Sequence, residues 1–463
     1  MTEAKRYFFC GIGGSGMLPL ALLARARGDA VWGSDRSRDQ GRTPDKFAWL
    51  ERQGIRLFPQ DGSGLGDGAQ ILVASAAVED DVPDVAAANR LGCARMTRAE
   101  LNAQMFNAAS HAVGIGGTSG KSTVTGMVGW ILHALGKRPS VMNGAVMRNF
   151  ADGDAPFASA LVGDPALYVG EVDESDGSIA LYDADIAIVT NVSLDHKSID
   201  ELNTLFGDFL ARARVGIVNA DDPLSAGFCS DNLVRFGFDA GADVRGRDLM
   251  LDTDGARFTV QHGDAHADVH LRQVGRHNAM NALAAIAAVT YLGVSLADAA
   301  AALGSFAGLA RRYEIIGSAG GVTLIDDFAH NPDKMAATLA AAGASPGRLL
   351  LFFQPHGYGP LRQMGKELAA AFATGMRDGD KLFVCDPAYF GGSVARDDGA
   401  TRLVANVFRS GRWAAHMTHR DTCAEAMLAF ARPGDRIIIL GARDDSLSDF
   451  ARDILAQVQQ RIA

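Results

Sequence analysis

The sequence predicts an α/β protein of more than one domain, built on parallel sheets with helices packed on their faces. Three observations carry this. At 463 residues the chain is too long for one hydrophobic core, and two to four domains are expected. Short apolar runs alternate with stretches of helical period, as strand–loop–helix units do. Two glycine clusters, GIGGSG from Gly11 and GIGGTSGKST from Gly114, each lie between such a run and a helix. Parallel sheets hold anionic ligands at such junctions.

The elements follow in order. Tyr7 to Cys10 is a strand running into the first glycines, and Met17 to Arg27 has helical spacing. Ala30 to Trp32 and Ile71 to Ser75 are further strands. Val113 to Gly116 leads into the second cluster, and Ser122 to Leu135 is apolar at helical period. Strands are expected at Tyr168 to Val172, Ile186 to Thr190 and Val215 to Asn219, and an alanine-rich helix at Ala279 to Leu292. Phe236 to Gln273 alternates in the manner of antiparallel strands. Val322 to Asp326, Leu349 to Phe353, Lys381 to Cys385 and Arg436 to Leu440 are strands of a last α/β unit. Boundaries are expected near Phe106–His111 and Ala307–Arg312, giving segments 1–107, 108–311 and 312–463.

Composition narrows the function. Apolar residues make up 48% and mean hydropathy is +0.05, as in a soluble protein with ample core. No apolar run reaches the roughly 18 residues that a membrane span needs. The start, MTEAKRYFF, shows no signal-peptide pattern, so a cytoplasmic protein is expected. Five scattered cysteines, none in a C-x-x-C pair, are expected to be buried free thiols. A net charge of −10 argues against a nucleic-acid partner but leaves small anions open, since loops bind them locally.

The first cluster matches G-x-G-x-x-G, whose glycines let backbone approach a diphosphate at a helix N-terminus. Asp35, after the second strand, stands where a nicotinamide enzyme places its ribose-binding carboxylate. A dehydrogenase and a purely structural turn are therefore carried beside the favoured reading, the diphosphate of a nucleotide. The second cluster resembles the phosphate loop G-x-x-x-x-G-K-[ST], but that pattern wants glycine where Ile115 stands. Lys121 supplies charge for β- and γ-phosphates, and Ser122 or Thr123 a hydroxyl for Mg²⁺. An ordinary P-loop hydrolase or kinase is the rival.

Two later stretches add chemistry. Glu171-Val-Asp173-Glu174-Ser-Asp176 packs four carboxylates into six residues at a strand end. Their repulsion calls for a cation or for a solvated loop. Thr190-Asn191-Val-Ser-Leu-Asp195-His196 follows another strand, and His196 is a metal or phosphate candidate there.

GTSGKST, EVDESD, TNVSLDH, NADDP, GRHNAMN, Arg311-Arg312-Tyr and DDFAHNP occur in this order along the chain. That order resembles the Mur ligases, ATP-dependent amide-forming enzymes of bacterial cell-wall precursor synthesis. The family's loop, G-x-x-G-T-x-G-K-[ST], is matched by Gly114, Gly117, Thr118, Gly120, Lys121 and Ser122. GIGGSGM, Ser34-Asp35, EVDESD and Gln354-Pro355-His356 look most like the branch that adds L-alanine to UDP-N-acetylmuramate. They also look like the related branch that reattaches a recycled tripeptide (L-Ala-γ-D-Glu-meso-diaminopimelate).

The resemblance implies three domains: a Rossmann-like UDP-binding domain, a P-loop ATPase domain with a parallel and a small antiparallel sheet, and a C-terminal doubly wound Rossmann-like domain. The partners it implies are a UDP-sugar acid, ATP with Mg²⁺, and an amino acid or short peptide. It assigns the UDP-sugar to Gly13, Gly14, Ser15, Gly16, Met17, Ser34 and Asp35. ATP falls to Gly117, Thr118, Ser119, Gly120, Lys121, Ser122, Thr123, Asn278, Asn281, Arg312 and Asp327. Metal falls to Ser122, Glu174 and His196, and the catalytic set is Lys121, Glu174, His196 and Arg312. The amine is assigned to His330, Asn331, His356 and Tyr358. Three places depart from the L-alanine branch: Ser119 for a histidine, Asn331 for a second histidine, and Gly357-Tyr358-Gly359-Pro360 where an arginine follows Q-P-H. The last change is expected to widen or reshape the loop at the amine pocket, with Arg362 a candidate to replace the lost donor.

Overall fold

The computed structural model describes residues 4–75, 78–193, 197–388 and 396–462. By contact density the chain divides into two compact units. One comprises Met1–Met250, Arg257–Arg272 and Asn278–Leu309, the other Leu251–Ala256, Gln273–His277 and Ala310–Ala463.

The first unit carries two sheets. β1 (Arg6–Cys10), β2 (Ala30–Ser34), β3 (Arg56–Phe58), β4 (Ile71–Ala74) and β5 (Ala94–Thr97) pair in parallel in the order β3-β2-β1-β4-β5. The second sheet contains β6 (His111–Gly116), β7 (Pro139–Met142), β8 (Ala160–Leu161), β9 (Asp164–Glu171), β10 (Ile186–Val189) and β11 (Val215–Asn219). It continues through β12 (Leu233–Gly237), β13 (Val244–Asp252), β14 (Gly255–His262) and β15 (Ala265–Leu271). Its order is β15-β14-β13-β12-β11-β10-β6-β9-β7-β8.

β10, β6 and β9 run parallel, with Val189 beside Gly116 and Ile115 beside Glu171. The glycine loop, the EVDESD run and the TNVS stretch therefore leave one edge of the sheet together. These strands are buried on both faces, which explains their unbroken apolar runs. At the start of the Phe236 to Gln273 stretch the antiparallel expectation does not hold, because β12 pairs with β13 in parallel. The turn between them is shaped by Asp221, whose Oδ1 accepts the Phe238 and Asp239 amides. The helix Arg276–Tyr291 is buried almost all round, so its alanines show no amphipathic period. Phe106, at the expected first boundary, lies in one core with both sheets and packs edge-on to Tyr168 and Tyr182, 5.7 and 5.3 Å away.

The second unit is doubly wound. β16 (Glu314–Ala319), β17 (Val322–Asp327), β18 (Leu349–Gln354), β19 (Lys381–Cys385), β20 (Trp413–Met417) and β21 (Arg436–Gly441) take the order β16-β17-β21-β18-β19-β20. Only β16 is antiparallel to its neighbour among the described pairings of this sheet. Pro332–Gly343, Tyr358–Gly375 and Gly399–Arg409 cover one face through Met335, Phe372 and Val407. Arg420–Phe430 and Leu447–Ile462 cover the other through Met427 and Ile454. Among the described residues no helix is long and apolar enough to cross a membrane. Four of the cysteines are buried thiols as expected, but Cys229 is exposed.

Candidate active site

The displaced glycine of the second cluster has a structural cause. Gly117 has φ +116°, and a Cβ on it would overlap Thr190 Oγ1 and stand 2.8 and 3.1 Å from the amide nitrogens of Thr190 and Asn191. Glycine is needed where the chain leaving β10 presses on the loop, one place beyond Gly116. Polar contacts fasten that approach. Thr190 Oγ1 donates to the Ser119 carbonyl at 2.6 Å, and Asn191 Nδ2 to the same oxygen at 3.0 Å. Asn191 Oδ1 accepts the Ser119 amide at 3.0 Å, and its carbonyl accepts that of Thr118 at 3.1 Å. Ser119 Oγ is buried and meets no partner among the described residues. Gly120 has φ +90°, and a Cβ there would sit 2.5 Å from Asn281 Oδ1. Asn281 donates to Asn278 Oδ1 at 3.3 Å, so Asn281 stands against the loop with Asn278 bonded to it.

Lys121 opens the helix Lys121–Ala134 and is fully engaged. Its ammonium donates to the Gly117 carbonyl at 2.6 Å and to both oxygens of Glu174, at 3.0 and 2.8 Å. Burial draws its pKa down, but the carboxylates of Glu174, Asp173 and Glu171 outweigh this and leave it above the ordinary lysine value. Ser122 and Thr123 follow as buried first-turn residues.

The EVDESD run is not a solvated loop, because each carboxylate has a partner. Glu171 Oε1 accepts the Gly144 amide at 2.5 Å, which leaves Glu174, 5% exposed, as the acid facing the phosphate loop. Asp173 accepts the Ser175 amide and hydroxyl, and Asp176 accepts the Ser178 amide. Arg98 approaches both, 3.7 Å from Asp173 and 4.0 Å from Asp176. Burial raises the Asp173 pKa, but Lys121, Ser175 and Arg98 together bring it below the usual range. Among the described residues no cluster of three or more histidine, cysteine or acidic side chains is placed to hold a metal. Ser122 and Glu174 offer hard oxygens of the kind Mg²⁺ takes together with water and phosphate. His196 lies outside the described residues.

In the first cluster, Gly14 and Ser15 form an exposed tip and Gly16 caps the helix Met17–Ala26, whose first turn carries no acid. Asp35 is occupied by backbone. Its oxygens accept the Gly13 and Ser37 amides, both at 2.8 Å, so it shapes the loop. Ser34 is fully buried and its hydroxyl donates to Asp84. Met17 is buried, with its amide bonded to the Gly14 carbonyl. Of the seven residues assigned to the UDP-sugar, these three act behind the loop.

In the second unit, Arg311 and Tyr313 have φ +58° and +49°, a strained setting on either side of Arg312. Arg311 donates to the carbonyls of Asp444 and Gly441, whereas Arg312 lies half-buried over the Phe328 ring at 4.4 Å. Asp327 accepts the amides of Tyr313 and Ala329 at 2.6 and 2.7 Å and so holds this turn. Burial raises its pKa. His330 and His356 meet edge to face at 4.8 Å, and His330 Nδ1 donates to the Phe328 carbonyl at 2.8 Å. Asn331 caps the helix Pro332–Gly343 through the Lys334 amide. The expected widened loop is absent: Tyr358, Gly359 and Pro360 form the first turn of the helix Tyr358–Gly375. Arg362 donates to Asp397 at 3.1 Å.

Three family models cover most of the chain: "Mur ligase family, catalytic domain" over residues 6–110, "Mur ligase middle domain" over 115–289 and "Mur ligase, glutamate ligase domain" over 311–443. The chain belongs to the Mur ligase family. It is 34% identical over 458 residues to the UDP-N-acetylmuramate–L-alanine ligase of Clavibacter michiganensis subsp. michiganensis, covering 96% of this chain and 92% of that one. It is 33% identical over 478 residues to the enzyme of the same name from Cereibacter sphaeroides, covering 98% and 97%. Among solved structures, a UDP-N-acetylmuramate–alanine ligase from Thermotoga maritima shares the fold with a TM-score of 0.81 at 23% identity, covering 98% of this chain and 99% of that one. A murein peptide ligase from Psychrobacter arcticus matches with a TM-score of 0.72 at 25% identity over 99% and 100%.

Within this Mur ligase, sequence reasoning missed Thr190 and Asn191 as the clamp on the phosphate loop. A threonine–asparagine pair closing a buried strand beside a glycine loop was the available signal. The structure brings together the phosphate loop, Glu174, Asn278 and Asn281 in one unit, and His330, Asn331, His356 and Arg312 in the other.

Proposed function

We propose that the chain is an ATP-dependent amide ligase that joins an amino acid of the L-alanine type to the carboxylate of UDP-N-acetylmuramate. The observation that carries the ATP half is the loop from Gly117 to Ser122, held open by Thr190 and Asn191 with Lys121 opposite Glu174. The acid and amine rest on the names of relatives 33 to 34% identical over nearly the full chain.

A carboxylate is a poor acyl donor, because its leaving group would be oxide. Transfer of the γ-phosphoryl group yields an acyl phosphate, the amine attacks its carbonyl, and phosphate departs. Mg²⁺ supplies charge neutralisation between the two anions when bound, and Ser122, Glu174 and His196 would hold it. In this reading Lys121 exchanges Glu174 for phosphate oxygens and the loop amides orient the β-phosphate. The Ser119 hydroxyl offers a further donor. Asn278 and Asn281 face the adenine, and Arg312 stabilises γ-phosphate charge. His330, His356, Asn331 and Tyr358 form the amine end, and Asp327 keeps the Arg312 turn in place. Gly13 to Gly16 hold the diphosphate. We assign the domains to 1–107, 108–311 and 312–463 and the enzyme to the cytoplasm.

A second reading, addition of a recycled peptide, draws support from the likeness to the murein peptide ligase and from Arg362 being tied to Asp397. The test is ADP release by purified protein against a matrix of UDP-sugar acids with L-alanine, glycine, L-serine and L-alanyl-γ-D-glutamyl peptides. ADP release that needs both UDP-N-acetylmuramate and an amine supports the ligase, and the preferred amine separates the two readings. ATP hydrolysis indifferent to both would sink it.

A further inference from the structure

A diphosphate diester carries a negative charge on each phosphoryl group. The GIGGSG loop offers backbone amides, the Ser15 hydroxyl and a helix N-terminus worth roughly half an elementary charge, but no cationic side chain of its own. Two cations converge on the ends of that loop from other elements. Lys46, on the helix Pro44–Arg52, is buried with Nζ 3.4 Å from the Gly13 carbonyl. Its helix packs directly on the loop, since a Cβ at Gly13 would meet Phe47 at 2.9 Å. Trp49 anchors that helix by donating to the Asp154 carbonyl at 2.7 Å. At the other end a Cβ on Gly16 would stand 2.7 Å from Arg98 Nη1, so the guanidinium lies on the loop backbone.

Both cations sit in the first turn of their helices, where the macrodipole disfavours positive charge. Among the described residues Arg98 meets carboxylates in long pairs, 3.7 Å to Asp173 and 4.0 Å to Asp176. A cavity of about 280 Å³ opens beside it, lined by Ser75, Thr97, Glu100, Asp176 and Ser178 among others. A second, of about 330 Å³, opens beside Phe47 on the helix that carries Lys46; Arg38, Arg42, Pro44 and Glu51 are among its lining residues and Lys46 is not.

We propose that Lys46 and Arg98 are a two-sided clamp on the diphosphate of the UDP-sugar, with the nucleoside on the Lys46 side and the sugar acid in the cavity at Arg98. This orientation points the acid end toward the EVDESD run, which Arg98 already touches. The proposal rests on the UDP-sugar reading above and adds the residues and the direction of binding.

The experiment measures UDP and UMP binding by calorimetry for the wild type, Lys46→Met, Arg98→Met and Arg98→Lys, with circular dichroism as a fold check. Charge-assisted contacts of this kind are worth roughly tenfold to a hundredfold in affinity each. The advantage of UDP over UMP is expected to shrink by that factor in each Met variant and to return in part in Arg98→Lys. A merely structural role would weaken UMP equally. In turnover the KM for UDP-N-acetylmuramate should rise while the KM for ATP and kcat hold. Wild-type UDP binding with a UDP-to-UMP ratio unchanged within about twofold in both Met variants overturns the clamp alone. A wild type that binds ATP but neither UDP nor UDP-N-acetylmuramate overturns the function and the clamp together.

Discussion

Replacing Gly117 by alanine tests the central geometry of the phosphate loop. Its φ of +116° lies where side chains are rarely accommodated, at a cost of about 1–3 kcal/mol. The added Cβ also overlaps Thr190 Oγ1 and approaches the Thr190 and Asn191 amides at 2.8 and 3.1 Å, so the strand end must move. Overpacking of that kind costs about a further 1–3 kcal/mol. Gly136 is the control, with φ +74° and nothing within 4 Å of its built Cβ. Gly136→Ala carries the backbone cost alone, about 1–2 kcal/mol. The assay is thermal unfolding of both variants with and without ATP. We expect Gly117→Ala to melt a few degrees below Gly136→Ala and to lose most of the ATP-induced stabilisation. Adding Thr190→Ala removes the side-chain overlap but leaves both amides in place, so recovery should be partial. Equal Tm losses and equal ATP shifts in the two variants would refute the view that the strand end dictates this glycine.

Other tests reach the remaining groups. Lys121→Ala should lose ligation by on the order of a thousandfold. It should also lower Tm, because Glu174 is left buried without its cation. The double variant Lys121→Ala/Glu174→Gln should regain Tm without regaining activity, and recovery of turnover there would remove Lys121 from the chemistry. Gly14→Leu should fold, since its Cβ meets only the Gly11 carbonyl at 3.3 Å and Met17 beyond, yet lose UDP-sugar affinity measured by calorimetry. Burial, reinforced by Lys334, His356 and Arg312, pushes the His330 pKa down to about 2. The unfolded chain takes up that proton near pH ~6.5, so stability is full above this value and falls as pH drops below it. His330→Asn should therefore lose less Tm than wild type between pH 7 and pH 5, and parallel losses would show that His330 is not held neutral.

Most of the architecture was legible because it is written in two periods and in glycine. Short apolar runs bounded by glycine or polar residues, such as Val113–Gly116 and Ile186–Val189, read as central parallel strands, and each is one. Edge elements were less visible. β5 reads ARMT, with two exposed positions and no apolar run, and β20 is half-buried throughout. The β12–β13 pairing escaped for another reason: alternation reports which face is buried and says nothing of strand direction. Asp35 was read as a ligand contact; in the structure one of its oxygens accepts the Gly13 amide of the loop and the other caps the following helix at Ser37. An acid after the second strand can do either, and only the partners decide.

The same distinction separates the proposed ATP half of the site from the proposed amine half. A phosphate loop works through backbone, so its requirements appear as glycines at Gly117 and Gly120 and a lysine at fixed spacing. The amine end works through side chains whose roles depend on their neighbours. Asn331, which replaces a histidine of the L-alanine branch, spends its oxygen on the Lys334 amide as a helix cap. Gly357 to Pro360, which looked like a widened loop, start an 18-residue helix. Arg362, the apparent substitute for the missing arginine, is drawn to Asp397. What remains is a pair of imidazoles 4.8 Å apart, one of them held neutral by burial. An imidazole makes single hydrogen bonds without bidentate geometry, so it holds a carboxylate less selectively than a guanidinium does. In the proposed reading, amine choice therefore falls to shape around His330 and His356. A comparison of substrates that differ beyond the α-carbon reports on it more directly than one that varies the α-carboxylate.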